Sequence, residues 1–317
     1  MPVCIVTGFL GSGKTTLISR LLASPAFART AVIVNEFGEI GLDHTLIASA
    51  DETMLTLTTG CLCCAVQTDL VRTLAVLEAR RTAGEIAYDR VLIETSGLAD
   101  PAPVLHALMR DAALAERYTI AAVLTLVDAQ LGAATLATYP EARRQVAMAD
   151  RLLLTKTDLA PPSPALLAAI AALNPTAPLA HDAPDPAALF AATPAVPTLP
   201  PETAAHTPGV DSFALIRTNP VPALALTLLL QALARHCGGR LLRMKGLVDI
   251  AEAPGTPALI HGVQHVLSPL AWLNAWPDAD RRTRIVFIGI GIPRHFPARL
   301  LDAIIAEVEE ESRSAGR

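Results

Sequence analysis

Gly8-Phe9-Leu10-Gly11-Ser12-Gly13-Lys14-Thr15 matches the phosphate-cradling pattern G-x-x-x-x-G-K-[ST] without exception, and Thr16 follows it. An apolar run precedes the loop, and Leu17, Ile18, Leu21 and Leu22 continue as a helical face. Glycines at 8, 11 and 13 let the backbone curl around phosphate oxygens, while the helix N-terminus, with Ser12 and Thr16 beside it, adds partial positive charge. Lys14 is expected to reach the β- and γ-phosphates and serve catalysis there, and Thr15 to ligate Mg²⁺. These residues predict a nucleoside triphosphate site.

Three further segments extend that chemistry. Arg90-Val91-Leu92-Ile93-Glu94 reads as a strand ending in a carboxylate, followed by Thr95-Ser96-Gly97. At the carboxyl edge of a parallel sheet, Glu94 is placed to hold Mg²⁺ through water and the Gly97 N–H to meet the γ-phosphate. Thr155-Lys156-Thr157-Asp158 follows another strand. There Asp158 suits guanine N1 and N2, the Lys156 stem suits the base face, and Thr155 stands where GTPases commonly carry Asn. Guanine is therefore the expected base, and GTP the expected nucleotide. Asn35-Glu36-Phe37-Gly38-Glu39-Ile40-Gly41-Leu42-Asp43 has the glycines and carboxylates of a switch loop. Glu36 is a candidate catalytic carboxylate.

Gly60-Cys61-Leu62-Cys63-Cys64 is the second chemical signal. A helix is expected to start directly after it, with Val66, Leu70, Leu74 and Leu77 on one face. A helix N-terminus lowers thiol pKa and primes thiolates for soft metals. The Cys-x-Cys-Cys spacing is not that of a structural zinc finger. Metal binding is the favoured reading, with redox or structural cysteines as its rivals. Cys4 and Cys237 read as buried small hydrophobes.

The elements that must position these groups alternate strand and helix through the first half, the pattern of a parallel α/β sheet. Strands are expected at Val3–Thr7, Ala31–Asn35, Met54–Leu57, Val91–Glu94, Ile120–Val127 and Arg151–Thr155, and a helix at Leu166–Leu173. A Pro/Ala-rich stretch then reads as a linker. Beyond it, strand Ser212–Arg217, helix Pro222–His236, strands Arg240–Ile250 and Ala258–Leu267, strand Arg284–Ile290 and helix Pro297–Glu310 describe a small α+β domain. The expected organisation is thus a P-loop NTPase domain over 1–175, with a mostly parallel sheet flanked by helices, a linker over 176–210, and an α+β domain over 211–317.

Composition narrows the function. With 317 residues and 52% hydrophobic content the chain can bury a sizeable core. A net charge of −5 argues against a nucleic-acid surface. No apolar run approaches the ~18 residues of a membrane span, and no secretory leader is evident. A cytoplasmic protein, with neither nucleic acid nor membrane as partner, is expected.

Taken together, Gly8–Thr16, Asn35–Asp43, Gly60–Cys64, Glu94–Pro101, Gln145–Asp158 and the run Gly262-Val263-Gln264-His265 resemble the CobW-like GTPases. The resemblance spans nearly the whole chain, and its most specific element is Gly-Cys-x-Cys-Cys within a P-loop protein. It implies a GTP-hydrolysing metallochaperone that binds Zn²⁺ or Co²⁺ through Cys61, Cys63 and Cys64, with Glu36 and Glu39 as weaker auxiliary ligands. Delivery would be to a client metalloprotein or metal-dependent cofactor pathway contacted by the C-terminal domain, with a nucleotide-dependent homodimer as one candidate assembly. Thr155 departs from the family's usual Asn, and the His-rich tract of some members is missing, which argues against metal storage. A metal-dependent sensor acting by partner binding, a small-molecule kinase and a nickel-insertion GTPase are the alternative readings.

Overall fold

The computed structural model describes residues 1–36, 54–58, 63–181, 184–190 and 210–315. Its elements run β1 (Pro2–Gly8), α1 (Lys14–Leu22), β2 (Thr30–Glu36), β3 (Met54–Thr58), α2 (Cys63–Thr82), β4 (Arg90–Glu94), α3 (Ala102–Arg110), α4 (Ala112–Arg117) and β5 (Thr119–Asp128). Then come α5 (Gly132–Thr138), α6 (Pro140–Ala147), β6 (Arg151–Thr155), α7 (Pro164–Leu173), β7 (Leu179–Ala180) and α8 (Pro186–Phe190). The remainder is β8 (Asp211–Arg217), α9 (Ala223–Cys237), β9 (Leu241–Val248), β10 (Ala258–Val263), β11 (Val266–Leu267), β12 (Ala271–Trp272), β13 (Thr283–Gly289) and α10 (Phe296–Ala315).

Among the described residues, β1 to β7 form one sheet in the order β3-β2-β4-β1-β5-β6-β7, parallel at every junction. A parallel sheet is covered on both faces, so its central strands need apolar residues at successive positions. Val3, Cys4, Ile5 and Val6 of β1 are all fully buried, and Val91, Leu92 and Ile93 of β4 nearly so. Leu17, Ile18 and Leu21 of α1 pack on this sheet with Leu189 and Phe190 of α8. On α2 the helical period buries Leu70, Leu74 and Leu77, each contributing about 1.5–3 kcal/mol of transfer free energy.

Residues of β8 to β13 build a second, antiparallel sheet in the order β11-β10-β9-β13-β8, with β12 also paired to β10. Leu226, Leu229 and Leu233 of α9 and Leu301 and Ile305 of α10 close its core with Met244, Ile260, Ile285 and Phe287. Phe213 and Phe287, paired across β8 and β13, stack with ring centroids 5.3 Å apart. This is an α+β arrangement, as the sequence implies. No helix among the described residues is long and apolar enough to cross a membrane.

Three elements differ from the sequence reading. Helix α2 takes in Cys63 and Cys64 as its first residues instead of starting after them. The stretch read as a linker from residue 176 contributes β7, whose Leu179 and Ala180 pair with Leu152 and Leu153, and α8, whose Leu189 and Phe190 are buried. By contacts the chain divides into Met1–Ala169 with Ala177–Thr193, and Ile170–Thr176 with Pro194–Arg317. Ala258–Leu267 is not one strand but a hairpin, turning at Gln264-His265 with Gln264 at φ +54°. A two-residue hairpin needs positive φ, and here glutamine supplies it without glycine or asparagine.

Candidate functional site

The site is built at the carboxyl ends of β1, β4, β5 and β6. The loop after β1 turns back at Ser12, whose N–H donates to the Phe9 carbonyl over 3.1 Å. Gly8 at φ +146° is obligatory: a Cβ there would lie 2.5 Å from the Leu126 carbonyl oxygen and 2.7 Å from Ser12 Oγ. Gly11 and Gly13 carry the chain through positive φ into α1. Lys14 begins that helix and is buried, its Nζ donating to Gly8 O at 2.9 Å and Phe9 O at 3.4 Å. The ammonium is thus held at the loop's own carbonyls. Thr16, next along α1, is exposed.

Thr15 and Glu94, both expected from the sequence to hold Mg²⁺, meet each other directly. Thr15 Oγ1 donates to Glu94 Oε1 over 3.0 Å, joining the first turn of α1 to the end of β4. Glu94 is buried, and Thr95 behind it ties β4 to β1 through Thr7 Oγ1 at 2.7 Å. Two hard oxygen donors beside a phosphate-type loop suit Mg²⁺. Gly97 presses on the loop: a Cβ there would lie 2.7 Å from Leu10 Cδ2, 2.8 Å from Leu10 N and 2.9 Å from Leu10 Cα. Its buried carbonyl, with that of Ala99, accepts from Gln145 Nε2 of α6, each at 3.0 Å.

On the other side, β6 delivers the Thr155–Asp158 segment expected from the sequence to meet the base. Thr155 Oγ1 donates to the Ser12 carbonyl at 2.8 Å, so its hydroxyl braces the phosphate loop. Lys156 occupies the left-handed region at φ +57°, and its Nζ donates to Asp128 Oδ2 at 2.5 Å. Asp128 Oδ1 also accepts from the N–H groups of Gln130 and Leu131 at 2.8 and 3.0 Å. Burial raises the Asp128 pKa, but the Lys156 hydrogen bond and the two N–H donors outweigh it and hold the carboxyl below its ordinary value. Asp158 lies in the exposed turn that follows.

The other candidates are placed less completely. Glu36 closes β2, one strand from β4, where Val34 pairs with Glu94 and Glu36 with Thr58 of β3. Cys63 and Cys64 open α2, five and six residues beyond β3. Cys61, Glu39 and the switch segment 37–43 lie outside the described residues. Cys4 and Cys237 are buried, and burial pushes both thiols above their ordinary pKa, as expected of packing residues. Asp128 is not singled out from sequence, and Gln145 enters there only as the first residue of the Gln145–Asp158 run. For Asp128 the signal was available, a second carboxylate ending a buried strand. For the role of Gln145 there is no local signal, because its contact is to carbonyls 46 and 48 residues away.

A glycine-rich turn between strand and helix, a lysine at the helix start and a Thr–carboxylate pair at the next strand define a P-loop nucleotide-binding domain. The CobW/HypB/UreG nucleotide-binding domain model matches residues 2–180, and the CobW C-terminal domain model matches residues 210–305. The zinc chaperone YjiA of Escherichia coli is 34% identical over 304 residues, covering 92% of this chain and 95% of that protein. The zinc-regulated GTPase metalloprotein activator 1 of Saccharomyces cerevisiae is 32% identical over 194 residues, 53% of this chain and 43% of that protein. The crystal structure of Zn(II)-bound YjiA GTPase superposes with a TM-score of 0.72 at 29% identity, covering 96% and 98% of the two chains. The chain belongs to the CobW family of P-loop GTPases.

Proposed function

We propose that this protein is a GTP-driven metallochaperone that carries Zn²⁺, or Co²⁺ in its place, on the Cys61-Leu62-Cys63-Cys64 loop and releases it to a client according to nucleotide state. The observation that carries this reading is the strand order β3-β2-β4-β1. All four strands are parallel, so their carboxyl ends lie along one edge of the sheet. Along that edge come the end of β3, five residues before Cys63, then Glu36, Glu94 and the phosphate loop. At roughly 4.8 Å per strand, the cysteine strand stands about 10 Å from the Glu94 strand, with Glu36 between them. Any rearrangement at the γ-phosphate therefore has one short strand-end segment to cross.

In this reading Lys14 exchanges its two neutral carbonyl acceptors for phosphate oxygens, a stronger charge-assisted pairing. Thr15 and Glu94 would hold Mg²⁺, which when bound neutralises charge developing on the phosphates. Glu36 orients the attacking water. Thr155 keeps the loop in register, while Lys156 and Asp158 select guanine. The thiolates of Cys63 and Cys64, at the N-terminal turn of α2, are favoured by the helix dipole and prefer soft cations. Support for zinc as cargo comes from the named functions of the relatives, and the C-terminal domain is the surface offered to the client.

The test is GTP hydrolysis by reduced, metal-free protein with Mg²⁺, titrated with Zn²⁺ and Co²⁺ beside a Cys63→Ala/Cys64→Ala variant. Turnover should change as about one metal binds per chain, and the variant should not respond. Metal affinity should differ between GTP and GDP states by the ~5–150-fold typical of coupled sites. Equal affinity in the two states would remove the coupling, and a metal-insensitive rate in both proteins would favour a sensor acting through partner binding.

A further inference from the structure

Of the residues that α6 buries, Ala142, Gln145, Val146 and Ala147, only Gln145 is polar. It is 1% exposed. Both hydrogens of its Nε2 are in use, one donated to Gly97 O and one to Ala99 O, at 3.0 Å each. Its Oε1 has no hydrogen-bond partner among the described residues, a cost that leucine or methionine in the same place would not incur. What glutamine adds here is therefore its pair of N–H donors. The backbone that carries it is tied down as well, since Thr125 Oγ1 of β5 donates to the Gln145 carbonyl at 2.9 Å.

The two carbonyls belong to a tight turn. The Ala99 N–H donates to Ser96 O at 3.0 Å, which puts Gly97 and Leu98 at the corner. A peptide unit is planar and trans, so fixing the Ser96 carbonyl aims the Gly97 N–H the opposite way. Gln145 fixes the next peptide through Gly97 O, and through Ala99 O it holds the residue that closes the turn. Arg144, its neighbour on α6, pairs with Asp100 Oδ2 at 3.7 Å, and Asp100 Oδ1 accepts from the Ala102 N–H at the start of α3. Consecutive residues of one helix thus grip the segment from 97 to 100. Without the amide, the two carbonyls would lose their donor inside the protein and the turn would rotate toward water to regain one. That rotation moves Gly97, which already stands against the Leu10 backbone of the phosphate loop.

We infer that Gln145 is a positioning residue for GTP hydrolysis: by holding the Ser96–Ala99 turn it sets the Gly97 N–H toward the γ-phosphate, and so helps the protein tell GTP from GDP. Gln145 itself touches no nucleotide in this role. The inference rests on the contact between Gly97 and the γ-phosphate expected from the sequence, and it is independent of the cysteine loop and its metal.

The experiment compares the full-length protein with Gln145→Met, by GTP turnover with Mg²⁺ and by fluorescence affinities for GTPγS and GDP. Methionine keeps the length of the side chain and supplies no donor. kcat should fall about 10–100-fold, as for a displacement near 1 Å of a positioned group. GDP affinity should stay close to wild type, while the preference for GTPγS over GDP should shrink by about ten-fold, the worth of a hydrogen bond to a charged group. Gln145→Asn keeps the amide but is one carbon too short to reach both carbonyls. It should show the same pattern more weakly, and it serves if the methionine variant fails to fold. A structural role alone would lower the fraction of protein that binds either nucleotide and leave both kcat per active site and the GTPγS preference at wild-type values. That result in a folded variant overturns the role of Gln145. Equal affinity of the wild-type protein for GTPγS and GDP would instead overturn the Gly97 contact on which the inference rests.

Discussion

Replacing Gly97 by alanine tests whether the segment after β4 and the phosphate loop act as one rigid unit. The added Cβ would stand 2.8 Å from Leu10 N and 2.9 Å from Leu10 Cα, where ordinary contact begins near 3.4 Å. Both atoms belong to backbone, so no side-chain rotation relieves the overlap, and the two loops must part by about 0.6 Å. Overpacking of this kind costs about 1–3 kcal/mol of stability, which leaves a domain of this size folded. Catalysis is less tolerant, since a displacement near 1 Å of positioned groups reduces rates about 100-fold. The expected result is a GTP turnover number lowered about 10–100-fold with Mg²⁺, while fluorescent GDP binding weakens only a few-fold. Gly239→Ala, where a Cβ meets nothing within 4 Å, is the matched control and should behave as wild type. Wild-type turnover by Gly97→Ala would refute the idea that these loops are held in register by backbone contact.

Thr155→Val removes the hydroxyl that braces the Ser12 carbonyl, and GDP affinity measured by fluorescence should fall about five-fold, the net worth of one hydrogen bond. Asp128 is held below its ordinary pKa of 3.8, so its contribution to stability is complete above that value and is lost as pH falls through the depressed folded-state value. Urea unfolding of Asp128→Asn should accordingly show about 1–3 kcal/mol less stability at pH 7, with the difference from wild type closing in acid. Equal stabilities at pH 7 would show that the Lys156 pair contributes nothing. Of the five cysteines, Cys4 and Cys237 are buried with raised thiol pKa values, so titration with a disulfide reagent should leave these two unreacted in the native protein and find all five after denaturation.

What was legible in the sequence follows from how locally each feature is determined. The phosphate loop is dictated by backbone conformation, so the glycines and Lys14 disclose it directly. Strands buried on both faces announce themselves as apolar runs, and Arg151–Thr155 is found where it was expected. Thr155 is legible in position, standing where GTPases commonly carry Asn, but the bond from its hydroxyl to the adjacent loop is not. The Pro/Ala-rich composition around residue 180 concealed β7 and α8, whose evidence is two large apolar residues, Leu189 and Phe190, at the end of a short helix. Gln145 was beyond reach of any local pattern, because a glutamine inside a helix gains its meaning from carbonyls that only the folded sheet brings near.

The central place of β1 has a consequence for how the protein is made. Its partners are β4 and β5, so Val3 to Val6 are paired with residues translated about 90 and 120 positions later. At roughly 5–20 residues per second on the ribosome, some 6–24 s pass between emergence of the first strand and completion of the fifth. Until β4 is complete the first strand has no neighbour in the sheet and the phosphate loop attached to it has no Glu94, and Thr155 arrives only after β5. Until Thr155 has been added the phosphate loop lacks its brace, and during that delay the unpaired apolar β1 is a segment that a general chaperone would shield.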